Sequence, residues 1–154
     1  MSILVLAFLI GVIAGLRALT APTVVSWAAR LGWINLADTH LAFLGFAYTP
    51  YILTVLALGE LFNDKRASTP SRKIPPQFIT RVVTGGFSGA ALGLAKGSLI
   101  GGLIAGAIGA VAGTLAGAEV RGRLAGIVGK DLPVALLEDI IAVCGGFVIV
   151  YMAR

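Results

Sequence analysis

Residues 15–22, GLRALTAP, place an arginine, a threonine and a proline between two strongly apolar runs. Proline lacks the N–H that would continue the helix ladder, so the first helix is predicted to run over about 2–20 and to stop near Pro22. A short piece over 23–33, TVVSWAARLGW, follows with two tryptophans, which suit a bilayer interface. The sequence therefore predicts an interrupted first helix with Arg17 close to the interruption.

The composition of the 154 residues identifies the class of protein. Of these residues 58% are hydrophobic and 12% are charged, whereas soluble domains carry roughly 25% charged residues. Several apolar runs approach the ~20 residues that span a bilayer core as a helix. We interpret the chain, over 1–154, as one all-α polytopic membrane domain. Its first apolar run lacks a preceding positive region, so we expect a retained helix rather than a signal peptide.

About five transmembrane segments are predicted. The second covers roughly 41–62 and is also interrupted, because Thr49 and Pro50 have the form of an N-cap followed by a proline at the first helical position. Residues 63–77 form the one clearly hydrophilic loop. The third, fourth and fifth segments cover about 78–95, 98–118 and 131–151, with a polar connection over 119–130.

Lysine and arginine counts predict the orientation. With the hydrophilic loop in the cytoplasm, the basic residues on that side outnumber those on the other side, as the positive-inside rule requires. Five crossings then place the N-terminus in the cytoplasm and the C-terminus outside a bacterial inner membrane. The cytoplasmic set is Lys65, Arg66, Arg72, Lys73, Arg81, Arg121, Arg123 and Lys130, and the outer set is Arg30, Lys96 and Arg154.

An internal repeat is a hypothesis that the same segments raise. GVIAG (11–15) and ALGELF (57–62) have counterparts in GAVAG (109–113) and ALLEDI (135–140). One helix between two such pairs would invert the second pair relative to the first, as in many small transporters. Matches rich in alanine and glycine also arise by chance, so both interpretations stay open here.

Glycine recurs at every fourth position along the third and fourth segments, which places these glycines on one helix face. Small residues let membrane helices approach closely, so the stripe predicts tight packing within the chain or between subunits. The alternative is a narrow pore lined by carbonyl groups. We also expect a homo-oligomer, because so short a chain rarely encloses a pathway alone. The candidate packing residues are Gly85, Gly89, Gly93, Gly101, Gly109, Gly113 and Gly117.

Glu60, Glu138 and Asp139 are acidic residues within or at the edges of apolar segments, predicted at similar depth near the cytoplasmic side. A charge at the bilayer centre costs at least ~3 kcal/mol on insertion scales, so each should be paired, protonated or face water. The three carboxylates therefore either form salt bridges or bind a cation or proton. The candidate salt-bridge partners are Lys65, Arg121 and Arg123.

Arg17 has two interpretations. It lies ~25 Å along the first helix at ~1.5 Å per residue, near the outer interface, where its side chain could reach water. Alternatively, unwound backbone at the interruption and the guanidinium form a site for an anionic group, or the guanidinium is the counter-ion of a carboxylate. The predicted ion or solute pathway comprises Arg17, Thr20, Pro22, Glu60, Asp64, Glu138 and Asp139.

The stretches GLRALTAP, SWAARLGW, LALGELFNDK with TPSR, and VALLEDIIAV resemble a small bacterial membrane family catalogued only as a domain of unknown function (domain of unknown function 4126). The resemblance covers nearly the whole chain, and LGEL-x-x-DK with TPSR is its most specific part. It implies a membrane fold and supplies no activity. The positions that it singles out are Arg17, Pro22, Glu60, Asp64, Lys65, Pro70, Ser71, Arg72, Glu138 and Asp139.

The leading functional hypothesis is a channel or transporter for an ion or small solute. The alternative is a non-transporting scaffold or lipid-binding assembly factor. The sequence contains no G-x-S-x-G, Walker or histidine–carboxylate motif, so we expect no soluble-type enzyme, cofactor or metal. Expected partners are the bilayer, including anionic lipid, and further copies of the chain, but not nucleic acid.

A third alternative is an enzyme acting on a lipid phosphate at Lys65, Arg66, Ser71, Arg72 and Lys73.

Overall fold

The computed structural model describes residues 2–63, 75–129 and 131–154, and every regular element in these ranges is helical. A 3-10 helix over Ala42–Gly45 lies between the second and third α-helices. The α-helices are α1 (Ile3–Leu16), α2 (Thr20–Arg30), α3 (Thr49–Asn63), α4 (Pro75–Ala95), α5 (Leu99–Val128) and α6 (Asp131–Met152).

Three helices in the described ranges are long and apolar enough to cross a membrane: Pro76–Ala95, Leu99–Val128 and Pro133–Met152. Large apolar side chains such as Val55 and Ile100 are exposed on the outside of the bundle, at 68% and 72% of their surface. Such a surface suits contact with lipid, and the fold is that of an α-helical membrane protein. The described residues contain three spans of this kind rather than the predicted five.

The α1 and α2 helices form a hairpin rather than one interrupted crossing. At 1.5 Å per residue they are about 21 Å and 17 Å long, so each is shorter than the ~30 Å hydrocarbon core. Arg17 and Val24 meet α6 at Asp139 and Gly146, so α2 runs in the same direction as α6. Ile13 lies against Gly145, so α1 runs in the opposite direction to α6.

The break itself lies over residues 17–19, three residues earlier than predicted. Arg17 is the extended C-cap of α1, with φ −144° and ψ 108°. Pro22 occupies the first turn of α2, where a backbone N–H would have no intrahelical acceptor. The predicted helix end near Pro22 is therefore wrong, because this proline belongs to the start of the next helix.

The hairpin brings both termini to one end of the bundle. Ile3 of α1 lines the same pocket as Lys96 and Arg154, and Trp33, just after α2, packs edge-on against Tyr151 with ring centroids 5.4 Å apart. An N-terminus and a C-terminus on opposite sides do not fit this arrangement. The prediction failed because it placed the tryptophan-rich piece at the bilayer interface, whereas that piece returns toward the end of the bundle where α1 begins.

The proposed inverted repeat also fails in the described structure. Gly11 of α1 lies against Gly106 of α5, and Gly15 lies against Gly113, so the two helices run parallel. Helices related by an inverted repeat would run in opposite directions. The returning α2 adds one reversal of the chain, which the repeat hypothesis did not include.

The remaining boundaries follow the sequence pattern closely, with one exception. The α3 helix begins at Thr49, directly before Pro50, as predicted. The α5 helix continues ten residues past Ala118, through the segment predicted as a polar connection. Helix-compatible residues and an i,i+4 ion pair between Glu119 and Arg123, 2.5 Å apart, support this extension. It ends at Gly129, whose φ of +83° suits glycine at a helix C-terminus.

Glycines bring α1, α4 and α5 into backbone contact, and we call this contact the glycine interface. On α4 and α5, a Cβ at Gly89 would overlap the Gly102 carbonyl, and a Cβ at Gly106 would overlap the Gly85 carbonyl. Packing within one chain therefore occupies much of the predicted stripe. Of that stripe, Gly85, Gly89 and Gly93 lie against α5, Gly109 and Gly113 lie against α1, Gly101 lies beside Leu4, and Gly117 lines a cavity.

Candidate functional site

Arg17 is fully buried, with 0% of its surface exposed, at the break between α1 and α2. Its Nε donates to Oδ1 of Asp139 at 2.6 Å, and its Nη2 lies 2.6 Å from the same oxygen. Its Nη1 lies 3.5 Å from Oε1 of Glu138 and donates to the Leu16 carbonyl at 2.9 Å. Ionised partners make these the stronger class of hydrogen bond. The guanidinium is thus a counter-ion for carboxylates, and the interpretation that it reaches water at an interface is wrong.

Glu138 connects this pair to α5. While one of its oxygens faces Arg17, Oε2 lies 3.6 Å from Nη1 of Arg121. One of the predicted salt-bridge partners is therefore in place. Arg123, the other candidate on α5, pairs instead with Glu119 on the exposed face of the helix.

Glu60 of α3 binds the backbone at the break. Its Oε1 accepts the Ala18 N–H at 2.8 Å, and its Oε2 accepts the Leu19 N–H at 2.7 Å. The first N–H groups of a helix have no intrahelical acceptor, and the helix dipole favours a negative charge there. A side chain forty residues away in sequence thus supplies the anion at the start of α2.

Arg81 of α4 supports the other side of the break. The residue is buried, with 2% of its surface exposed, and its Nη1 donates to the Gly15 carbonyl at 2.8 Å. The carbonyls of a final helical turn lack intrahelical donors, and a cation there interacts favourably with the helix dipole. From the sequence, Arg81 is predicted only as a topology residue. Its position inside an apolar segment was the available signal for a buried role.

These side chains form one group around residues 17–19, which we call the break cluster. Its three cations and three anions come from the break itself and from four helices, α3, α4, α5 and α6, and all six have ionic or hydrogen-bonding partners. Buried charges are tolerated when they are paired and hydrogen-bonded, because desolvation of an unpaired charge is costly. The break cluster comprises Arg17, Glu60, Arg81, Arg121, Glu138 and Asp139.

The two other described residues of the predicted pathway lie just beyond the break cluster. Thr20 is the first residue of α2 and 3% exposed, and its Oγ1 has no hydrogen-bond partner among the residues that the structure describes. Pro22 is buried in the same turn. Seven of the predicted positions lie outside the described residues: Asp64, Lys65, Arg66, Pro70, Ser71, Arg72 and Lys73. The alternative of an enzyme acting on a lipid phosphate depends on that loop, so it stays a prediction.

A cavity of about 420 Å³ lies next to the break cluster, between α1, α5 and α6. Its walls are almost entirely apolar, and Arg121 and Glu138 are the charged residues that line it. Glu138 therefore both lines this apolar space and faces the buried guanidinium of Arg17.

No protein-family model, curated protein or solved structure matches the chain. The resemblance to a bacterial membrane family stays a prediction. The described residues form a helical bundle in which three helices could cross a membrane by length and composition, and a buried arginine paired to carboxylates lies at a break between two short helices.

Proposed function

We propose that the chain is a small membrane channel or transporter for an ion or small solute, and that the break cluster is its binding site. The observation that carries this proposal is the complete burial of Arg17 against Asp139 at a break in the helical backbone. Ionisable residues inside membrane proteins are costly and commonly mark ion or solute pathways. Breaks between half-helices are recurrent solute sites because they expose backbone groups and helix ends inside the membrane.

In the proposed mechanism the transported species competes with an internal ion pair. A cation or proton that binds Glu138 and Asp139 would replace Arg17 as their partner. The released guanidinium would then need another anion or access to water. Because the described break cluster is neutral in sum, binding of one charge unbalances it and favours rearrangement around residues 17–19. The substrate on this proposal is a proton or small cation.

We infer the orientation from the distribution of basic residues and from the hairpin, which brings both termini to one end of the bundle. The end of the bundle with Arg121 and Arg123 faces the cytoplasm, and the end with Lys96, Arg154 and the N-terminus faces outward. The membrane on this proposal is a bacterial inner membrane. A homo-oligomer would supply the walls of a pathway that α1 and α2 are too short to enclose.

The test is a flux measurement on purified protein in liposomes, with an internal dye for pH and another for monovalent cations. We expect the double variant Glu60→Gln/Glu138→Gln to lose flux. The matched control is Glu119→Gln, which removes a carboxylate from the exposed face of α5 outside the break cluster. Full flux in a double variant that elutes as folded protein would remove these carboxylates from the mechanism.

A second candidate function is a non-transporting scaffold or lipid-binding assembly factor. The mutual pairing of the break cluster favours it, because Arg17, Glu138 and Asp139 already satisfy one another without a bound solute. This candidate predicts no flux in liposomes for the unaltered protein. It also predicts that the protein copurifies with an anionic lipid or another protein.

A further inference from the structure

The cavity beside the break cluster is an elongated crevice whose lining residues recur at helical spacing. From α1 it is lined by Phe8, Val12 and Leu16, and from α6 by Val134, Leu137 and Ile141. Each set lies along one face of its helix, because residues three or four apart are neighbours on a helix surface. The third wall comes from α5 over positions 112–124. Three helix faces thus line one continuous apolar space.

The dimensions of this crevice suit one hydrocarbon chain. The lining of α5 extends over ~18 Å at 1.5 Å per residue. One leaflet contributes about half of the ~30 Å hydrocarbon core, so this length is close to the depth of one leaflet. The volume of about 420 Å³ lies within the range of ~300–1,000 Å³ for small-molecule pockets.

The two ends of the crevice differ in polarity. The ion pair of Arg121 and Glu138 lines one end, whereas Phe8 and Ala112 line the other end with apolar groups. The Arg121 side chain is 16% exposed. A guanidinium has five N–H donors in a planar fork, so one arginine can contact a carboxylate and a phosphate oxygen together. The apolar groove can hold an acyl chain, and Arg121 in the ion pair at its polar end can donate further N–H groups to an anionic headgroup.

We propose that this crevice binds one anionic phospholipid, with an acyl chain between α1, α5 and α6 and its phosphate at Arg121. The proposal does not depend on transport, because the lipid would occupy the crevice and contact the Arg121–Glu138 pair from the side that faces the crevice. It makes the lipid a direct neighbour of Glu138, whose other oxygen faces Arg17. A bound phosphate would therefore share Arg121 with Glu138.

The experiment is native mass spectrometry of the full-length protein after delipidation and incubation with equal amounts of phosphatidylglycerol and phosphatidylcholine of the same chains. We expect retention of one phosphatidylglycerol, preferred about tenfold, the effect of roughly one charge-assisted hydrogen bond. Arg121→Gln should reduce this preference to near unity, and Arg121→Lys should keep part of it. Equal retention of the two lipids by the unaltered protein would overturn the proposal.

A second pair of variants tests the crevice without altering any charge. Ala116→Phe places a ring among the lining residues and should reduce retention of both lipids. The control Leu115→Phe also places a ring on α5, at the neighbouring position, which is 47% exposed and does not line the crevice, and it should retain lipid normally. Unchanged retention in Ala116→Phe would exclude the crevice as the site. Neither result affects the flux experiment, so the two proposals fail separately.

Discussion

The glycine interface and the break cluster lie on the same α1 helix but are stabilised in opposite ways. At the glycine interface, Gly11 and Gly106 bring two backbones together without side chains between them. At the break cluster, which begins two residues beyond Gly15, buried ions hold the end of the helix. In lipid there is little hydrophobic force between helices, so close packing and polar contacts are the available means of association. The helices are held together by close backbone packing at the glycine interface and by electrostatic pairing at the break cluster.

This contrast predicts the largest loss of stability at Arg17. Replacing it with methionine removes the counter-ion of Asp139 and Glu138 but keeps an unbranched side chain. Breaking a buried ion pair costs about 3–5 kcal/mol, because the remaining charge is left uncompensated. Thermal unfolding of the purified protein in detergent should show this loss. The matched control, Arg123→Met, removes an exposed pair worth at most ~1 kcal/mol, and equal effects of the two variants would contradict the assignment.

At the glycine interface we expect a smaller loss, of steric origin. Gly106 lies against both Gly11 and Gly85, so Gly106→Val would force α1 and α4 away from α5. Overpacking of this kind costs typically ~1–3 kcal/mol. The control is Gly122→Val on the same helix, because a Cβ there meets nothing within 4 Å. Similar unfolding temperatures for the two variants would show that the close approach is not required.

The smallest of the three effects is expected at Glu60. Glu60→Ala leaves the amides of Ala18 and Leu19 without their acceptor, and an unsatisfied, partly buried group costs about 1–3 kcal/mol. Because Glu60 is only partly buried, we expect the lower end of that range. Glu60→Gln keeps one carbonyl acceptor and should lie between the alanine variant and the unaltered protein in unfolding temperature. A glutamine variant as unstable as the alanine variant would indicate a role for the charge alone.

Several features of the fold were predictable because their causes are local. Pro50 after Thr49 predicts a helix start, and α3 begins there. The last segment, predicted over about 131–151, is α6, which begins at Asp131. The cost of charge in an apolar segment also singled out Glu60, Glu138 and Asp139 before any coordinates. These predictions need only backbone geometry and solvation, which act within a few residues.

The direction of the chain after residue 19 depends on distant contacts. The path of α2 is determined by bonds such as the Trp27 Nε1 donor to Thr54 Oγ1, at 2.9 Å, and the Ser26 hydroxyl donor to the Leu44 carbonyl, at 2.5 Å. Their partners lie 27 and 18 residues further along the chain. Local hydrophobicity is the same for a helix that continues and for one that returns, so the hairpin was not predictable from it.

By itself, the amino-acid sequence determined a helical membrane protein, an interruption near Arg17, and a small set of acidic residues that need partners. The reason is that these features depend on local properties. Apolar runs leave water, proline lacks the N–H that continues a helix, and a charge in an apolar segment needs a partner wherever that partner comes from. Only the tertiary structure decided that Asp139 and Glu138 pair with Arg17, that Glu60 binds the start of α2, and that Arg81 joins them. Those choices depend on which helices lie side by side, and close packing over the whole bundle determines that arrangement.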